Sequence, residues 1–187
     1  MGPQRFKPLT LETMDAEQRK VAEGIISGPR GGMRGPFNAL LRAPELADHA
    51  QKLGAYVRFG SKLPEALKEM AILITGRHWT AQYEWYAHNQ LALKAGLKPA
   101  ISAAIAEGKR PAQMSKEETV VYDFCTELLE TKTISDATFT RTRDTFGERG
   151  LMDLVGAVGY YSLVSMCLNI DRYPLPEGVA PPLKPLK

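Results

Sequence analysis

The chain contains 187 residues, which is enough for one domain with a substantial core. Lysine and arginine number 24 against 21 for aspartate and glutamate, and the net charge of +3 is spread along the chain without a basic block, so we expect no nucleic-acid partner. The N-terminus lacks the apolar run of a signal peptide, and no segment approaches the ~20 apolar residues of a membrane span. We therefore predict a cytoplasmic protein with no membrane partner.

Apolar residues recur at the helical spacing almost everywhere, and helix-start and helix-stop residues divide the chain into segments. Ser115 begins a capping-box pattern, and Gly96 and Gly108 stand where helices end. No alternating apolar and polar run of useful length is present. The sequence predicts an all-α protein of about eight helices, which in chain order cover residues 15–26, 37–42 (a short turn), 44–59, 64–78, 80–95, 99–107, 115–129, 135–146 and 151–168.

Two segments cannot be helical. Residues 27–36 contain four glycines and two prolines, and so long a loop is either mobile or functional. The tail, residues 173–187, contains five prolines and is either disordered or extended over a neighbouring surface, for example as an arm to another subunit. We predict one domain, residues 1–187, with an N-terminal extension over about 1–34 and this tail.

The densest group of polar residues begins at Gly76 and ends at Gln90. Within it Glu84 and His88 are four residues apart, so they share a helix face and form a workable acid–base pair. The preceding helix carries Glu69, which lies close if the two helices pack together. The alternative is a solvated surface pair without function. The metal-binding pattern His-Glu-x-x-His is missing, and we expect no metal.

Four segments, residues 35–47, 69–77, 82–88 and 92–97, resemble the carboxymuconolactone decarboxylase superfamily, which includes the alkyl hydroperoxidase D-like proteins. The resemblance is good over residues 35–108 and loose elsewhere. It implies a compact helical domain of the alkyl hydroperoxidase D-like type that assembles as a homo-oligomer, a trimer or hexamer. It also implies a site without an organic cofactor.

The two branches of this superfamily differ at the active-site helix. The peroxidase branch carries Cys-x-x-Cys-x-x-x-His, and matching its histidine to His88 puts Ala81 and Glu84 where the cysteines belong. Thiol chemistry would then have to use Cys125 or Cys167, which the spacing does not favour. The decarboxylase branch carries Glu-x-x-x-His, and Glu84 with His88 matches it.

The resemblance therefore implies a lyase or isomerase that acts on a small carboxylated lactone or a related intermediate of aromatic catabolism. We expect the catalytic residues to be His88, Glu84 and Glu69, and the substrate-binding residues to be Arg77, Tyr83, Trp85, Gln82 and His78. Arg34 and Arg42 are weaker candidates for binding an anion. Two alternatives stay open: a peroxidase or thiol antioxidant protein, and a non-catalytic helical binding or assembly protein.

Overall fold

The computed structural model describes residues 2–185 and is helical, with no β-strand in that range. The predicted all-α class is therefore confirmed. A π-helical segment, Tyr56–Gly60, continues directly from the third helix. The α-helices are α1 (Ala16–Ser27), α2 (Phe37–Leu40), α3 (Pro44–Ala55), α4 (Glu65–His78), α5 (Gln82–Lys94), α6 (Pro99–Ala106), α7 (Lys116–Thr131) and α8 (Asp136–Asp171).

Local sequence signals set several of the helix ends. The predicted capping box at Ser115 is present, since its hydroxyl accepts from Glu118 N and the Glu118 carboxylate accepts from Ser115 N. Pro44 and Pro99 each stand in the first turn of their helix, where a missing N–H costs nothing. The two helices predicted over 135–146 and 151–168 form one long element, which is broken at Gly147, where φ is +71°.

Helix α4 forms the centre of the fold and packs against α5, α6, α7 and α8. Every residue from Leu67 to Arg77 is buried, so this helix has no solvent-facing side over three turns. One apolar cluster surrounds it together with α5, α6 and α7, and a second lies between α1, α2, α3 and the C-terminal half of α8. Polar side chains on α4 therefore point into the protein interior.

The N-terminal extension is tied to the end of α8. Asp171 is fully buried, and its carboxylate accepts from Gln4 Nε2 (2.8 Å), Phe6 N (2.9 Å) and Asn38 Nδ2 (3.0 Å). One buried carboxylate thus joins three segments that are far apart in sequence, and its charge is offset by these donors.

The proline-rich tail packs on its own chain. Leu183 is buried in the cluster around α4, and its backbone exchanges two hydrogen bonds with the side-chain amide of Gln82, of 2.8 and 2.9 Å. Of the alternatives for the tail, the extended form is observed, but the surface that it covers belongs to the same subunit. Lys187 and residue 186 lie outside the described residues.

One helix of residues 2–185, α8, is long and apolar enough to cross a membrane by length and composition alone. Its most apolar window is 56% buried inside the protein, as is typical of a core helix.

Candidate active site

His88 lies between two carboxylates. Its Nδ1 is 2.7 Å from Glu69 Oε2, and its Nε2 is 3.0 Å from Glu84 Oε1. Helix α5 supplies Glu84 and His88 one turn apart, and α4 places Glu69 on the other side of the ring. All three side chains are buried. The structure thus brings together the three residues that we expected to be catalytic.

The two carboxylates hold the ring differently. Glu69 makes a well-aligned hydrogen bond with Nδ1, which fixes the orientation of the imidazole. Glu84 Oε1 is close to Nε2, yet it is buried without any partner that meets hydrogen-bond geometry. Glu84 and His88 line a cavity that Glu69 does not reach. Glu69 therefore positions the ring from the side away from the cavity, whereas Glu84 and His88 both line the cavity.

The pKa of His88 reflects opposing effects. Burial lowers it, but the negative charges of Glu84 and Glu69 and their contacts with the ring raise it more, to about 9. His88 is therefore an imidazolium at neutral pH. With two carboxylates around one cation, the three side chains together carry a charge of about −1.

The aromatic ring of Tyr161 packs edge-on against the imidazole, with 4.9 Å between ring centroids. Tyr160, the next residue on α8, packs edge-on against Tyr161 in turn. Burial raises the pKa of both tyrosines, so both hydroxyls stay protonated. These rings shield the ion pairs from water, which strengthens them.

The cavity in front of Glu84 and His88 has a volume of about 340 Å³. Its walls come from α5, from α8 and from the glycine-rich loop before α2. Three arginines line it: Arg30 and Arg34 from the loop and Arg58 from the π-helical segment. The loop that we expected to be mobile or functional thus forms one wall of the candidate site.

Arg30 is held at the cavity by neighbouring aromatic groups. Its Nη2 donates to the Tyr160 hydroxyl at 3.2 Å, and its guanidinium lies 5.3 Å from the centre of the Phe37 ring. Its Nε is buried without a partner. Space for this arrangement exists because residue 54 is glycine: a Cβ there would lie 2.2 Å from Arg30 Nη2 and from the Tyr160 oxygen.

Arg58 is placed by the π-helical segment. Its backbone carbonyl accepts from the buried ammonium group of Lys68 at 2.6 Å, and Glu65 accepts from the same group at 2.6 Å. π-helical turns occur frequently at functional sites, because the extra residue changes which side chains face inward. Here the turn directs Arg58 to the cavity.

The five residues that we expected to bind substrate lie in different parts of the fold. Tyr83 lines the cavity of about 340 Å³, whereas Trp85 packs in the core and the side chain of Gln82 is engaged by the tail. Arg77 and His78 line a separate cavity between α4, α6 and α7. Their position gives no support to a role in binding substrate next to His88.

Of the two weaker arginine candidates, Arg34 does line the active-site cavity, but Arg42 packs against the Phe6 ring. Arg30, Arg58 and the two tyrosines of α8 were not among the site residues expected from the sequence. The glycine-rich loop around Arg30 was a usable signal for one of them. Nothing in the local sequence pointed to Arg58.

The two cysteines are not arranged as the thiol pair of a peroxidase. Cys125 is fully buried in the cluster around α4, Cys167 is half-buried against the other cluster, and the two are not joined by a disulfide. Burial raises the pKa of both, so both stay protonated and are poor nucleophiles. Within residues 2–185, no group of three or more His, Cys, Asp or Glu side chains is arranged to hold a metal ion.

Comparison with known proteins shows the fold. The chain is similar to the crystal structure of an alkylhydroperoxidase AhpD core, an uncharacterized peroxidase-related protein from Ralstonia eutropha JMP134, with a TM-score of 0.71 and 15% identity over 90% of each chain. The predicted alkyl hydroperoxidase D-like fold is thereby confirmed. No protein-family model and no curated protein matches the sequence.

Proposed function

We propose that this protein is a cofactor-free lyase or isomerase that acts on a small carboxylated compound, such as a carboxylated lactone, by glutamate–histidine acid–base chemistry. The observation that carries the proposal is the position of His88 and Glu84 at a cavity lined by three arginines. A buried acid–base pair beside a cavity is a recurrent feature of active sites, because burial tunes the pKa values of its members.

The charges of the cavity favour an anionic substrate. Arg30, Arg34 and Arg58 contribute three positive charges, against the charge of about −1 shared by His88, Glu69 and Glu84. Guanidinium groups bind carboxylates with two parallel hydrogen bonds, and a partly enclosed site strengthens that interaction. The volume of about 340 Å³ is at the lower end of ligand pockets and suits a small molecule.

The proposed decarboxylation divides between the arginines and the acid–base pair. When the bond to the carboxylate breaks, carbon dioxide leaves and the bonding electrons remain on the substrate as an enolate. The arginines stabilise the negative charge on the enolate oxygen. Carbon then takes a proton from the imidazolium of His88, which Glu84 and Glu69 hold in place, and water restores the proton to His88.

Isomerisation would use the same groups in a different order. Glu84 would take a proton from a carbon next to a carbonyl, and the imidazolium of His88 would stabilise the resulting charge or return the proton at another carbon. Glu69 keeps the ring in place in both reactions. We expect it to act as a positioning residue, because it does not reach the cavity.

The test is turnover of carboxymuconolactone and related lactone acids, followed by ultraviolet absorbance and by release of carbon dioxide. We expect His88→Gln to lower kcat by about 10²- to 10⁴-fold, the usual contribution of a general acid. His49→Gln is the matched control, since His49 is exposed on α3 and does not line the cavity. Full turnover by His88→Gln would show that the chemistry lies elsewhere.

The alternatives have less support from the residues. The structurally similar protein is described as peroxidase-related. However, Ala81 and Glu84 occupy the positions where a peroxide-reducing pair of cysteines would stand. The two cysteines that the chain does have are protonated and belong to different apolar clusters. A non-catalytic binding protein would have no need of an imidazolium buried between two carboxylates, whose desolvation is costly.

We also propose that the protein is a cytoplasmic homo-oligomer, a trimer or hexamer. Large apolar side chains remain exposed on the single subunit, among them Phe59, Met152 and Ile170, and their burial would favour association. Size-exclusion chromatography with light scattering tests the oligomer, and a monomer at micromolar concentration would refute it.

A further inference from the structure

A second cavity, of about 110 Å³, lies between α4, α6 and α7. None of its lining residues lines the active-site cavity. Its polar groups are Arg77 and His78 from α4, Lys109 after α6, and Thr126 and Glu130 from α7. Its apolar wall consists of Ile74, Ile105 and Leu129, with the ring of Tyr122.

Arg77 is the unusual member of this cavity. The residue is only 4% exposed, and its Nε and Nη1 atoms are buried without any hydrogen-bond partner. No carboxylate of residues 2–185 lies within ion-pair distance of its guanidinium. This holds for Glu130 too, although Glu130 lines the same cavity. Burial lowers the pKa of Arg77, as expected for a cation that lacks a counter-charge.

Such an arrangement is costly unless something compensates for it. A buried cation that has lost water and gained no partner is strongly destabilising. The other buried cation of α4 shows the usual solution: the ammonium group of Lys68 is held by Glu65 and by the carbonyl of Arg58. Arg77 on the same helix has two donor atoms without such a partner, and its side chain lines the cavity between α4, α6 and α7.

We propose that this second cavity is a binding site for a short-chain carboxylate, whose head group pairs with Arg77 and whose alkyl part packs against Ile74, Ile105 and Leu129. The volume corresponds to about four water molecules, which fits an anion of four to six heavy atoms. The apolar wall favours a carboxylate with a hydrocarbon part over an inorganic anion, because a fully hydrated anion gains nothing from it.

The charged residues that line the cavity are consistent with an anionic ligand. Arg77 and Lys109 outnumber Glu130, although Lys109 is also paired with exposed Glu107 at 2.7 Å. His78, Lys109 and Glu130 are exposed, so the cavity is connected to solvent at this side. A ligand can therefore enter without unfolding of the helices.

Calorimetric titration of the full chain with sodium butyrate at constant ionic strength tests the proposal. Arg77→Met removes the guanidinium, and Thr126→Leu fills the cavity while leaving Arg77 in place. Arg58→Gln is the control, because it alters the arginines of the active-site cavity alone. We expect saturable butyrate binding that weakens at least tenfold in Arg77→Met and in Thr126→Leu and persists in Arg58→Gln.

Three results would overturn the assignment. Absence of saturable binding by the wild type would show that no carboxylate site exists at Arg77. Loss of binding in Arg58→Gln alone would place the carboxylate in the active-site cavity. Tighter binding of inorganic phosphate than of butyrate would contradict the role of the apolar wall. If circular dichroism shows that Arg77→Met does not fold, binding of butyrate to Thr126→Leu alone tests the assignment. None of these measurements depends on turnover, so they are independent of the proposed function.

Discussion

The charge state of His88 can be changed by removing one of its two carboxylate partners. Glu69→Gln keeps the shape of the side chain and its contact with Nδ1 but removes a negative charge 2.7 Å from the ring. The pKa of His88 should then fall from about 9 toward its ordinary value of 6.5, because burial opposes the charged form and only Glu84 remains to favour it.

The same change has a predictable effect on stability. The folded-state pKa of His88 is raised, so its contribution is fully present below pH 6.5 and is lost as the pH rises from 6.5 to about 9. One pH unit corresponds to ~1.4 kcal/mol, so the wild type should lose about 3 kcal/mol of unfolding free energy across this range. Glu69→Gln should lose clearly less.

Two measurements test the predicted changes in the pKa of His88 and in the free energy of unfolding. Nuclear magnetic resonance titration of the three histidines gives the pKa of His88 directly, with its signal identified by its loss in His88→Gln. Urea unfolding at several pH values between 6 and 9.5 gives the free energy. His78→Gln is the control: burial and nearby Lys132 lower the pKa of His78 from its ordinary value, the opposite direction to that of His88, so the fall in stability above pH 6.5 should remain.

Titration of His88 at or below pH 6.5 in the wild type would refute the reasoning. It would mean that desolvation outweighs both carboxylates, and His88 would then be neutral at pH 7. The general acid in the proposed reaction would have to be another group, and Glu84 would be the first candidate.

Further predictions concern packing and the thiols. Gly54→Ala should cost about 1–3 kcal/mol by urea unfolding and weaken anion binding, because the new Cβ collides with Tyr160, whereas an alanine in an open helical position gains stability; a stabilised variant would contradict this. Leu183→Ala should cost roughly 2–3 kcal/mol in the same assay if the tail is part of the core. The pair Cys125→Ala and Cys167→Ala should leave turnover within about twofold, and lost turnover would revive thiol chemistry.

Sequence patterns determined the helices, and for a local reason. Helical periodicity, the capping box at Ser115 and the prolines at Pro44 and Pro99 act within one or two turns, so they can be interpreted without knowing what packs against them. The pairing of Glu84 with His88 is equally local, since residues four apart on a helix are always neighbours. Glu69 was added by family resemblance and by the assumption that consecutive helices pack.

Only the tertiary structure decided which cavity each polar residue faces. Arg77 is near His88 in sequence, but at about 100° per residue it lies roughly 80° around α4 from Glu69. Because α4 is buried on all sides from Leu67 to Arg77, its pattern of apolar residues does not indicate which neighbour Arg77 faces. The cavity arginines come from a loop and a π-helical segment, and Arg30 of the loop is held by the space at Gly54 and by its hydrogen bond with Tyr160 of α8. Such contacts join residues far apart in the chain, and no local rule of sequence encodes them.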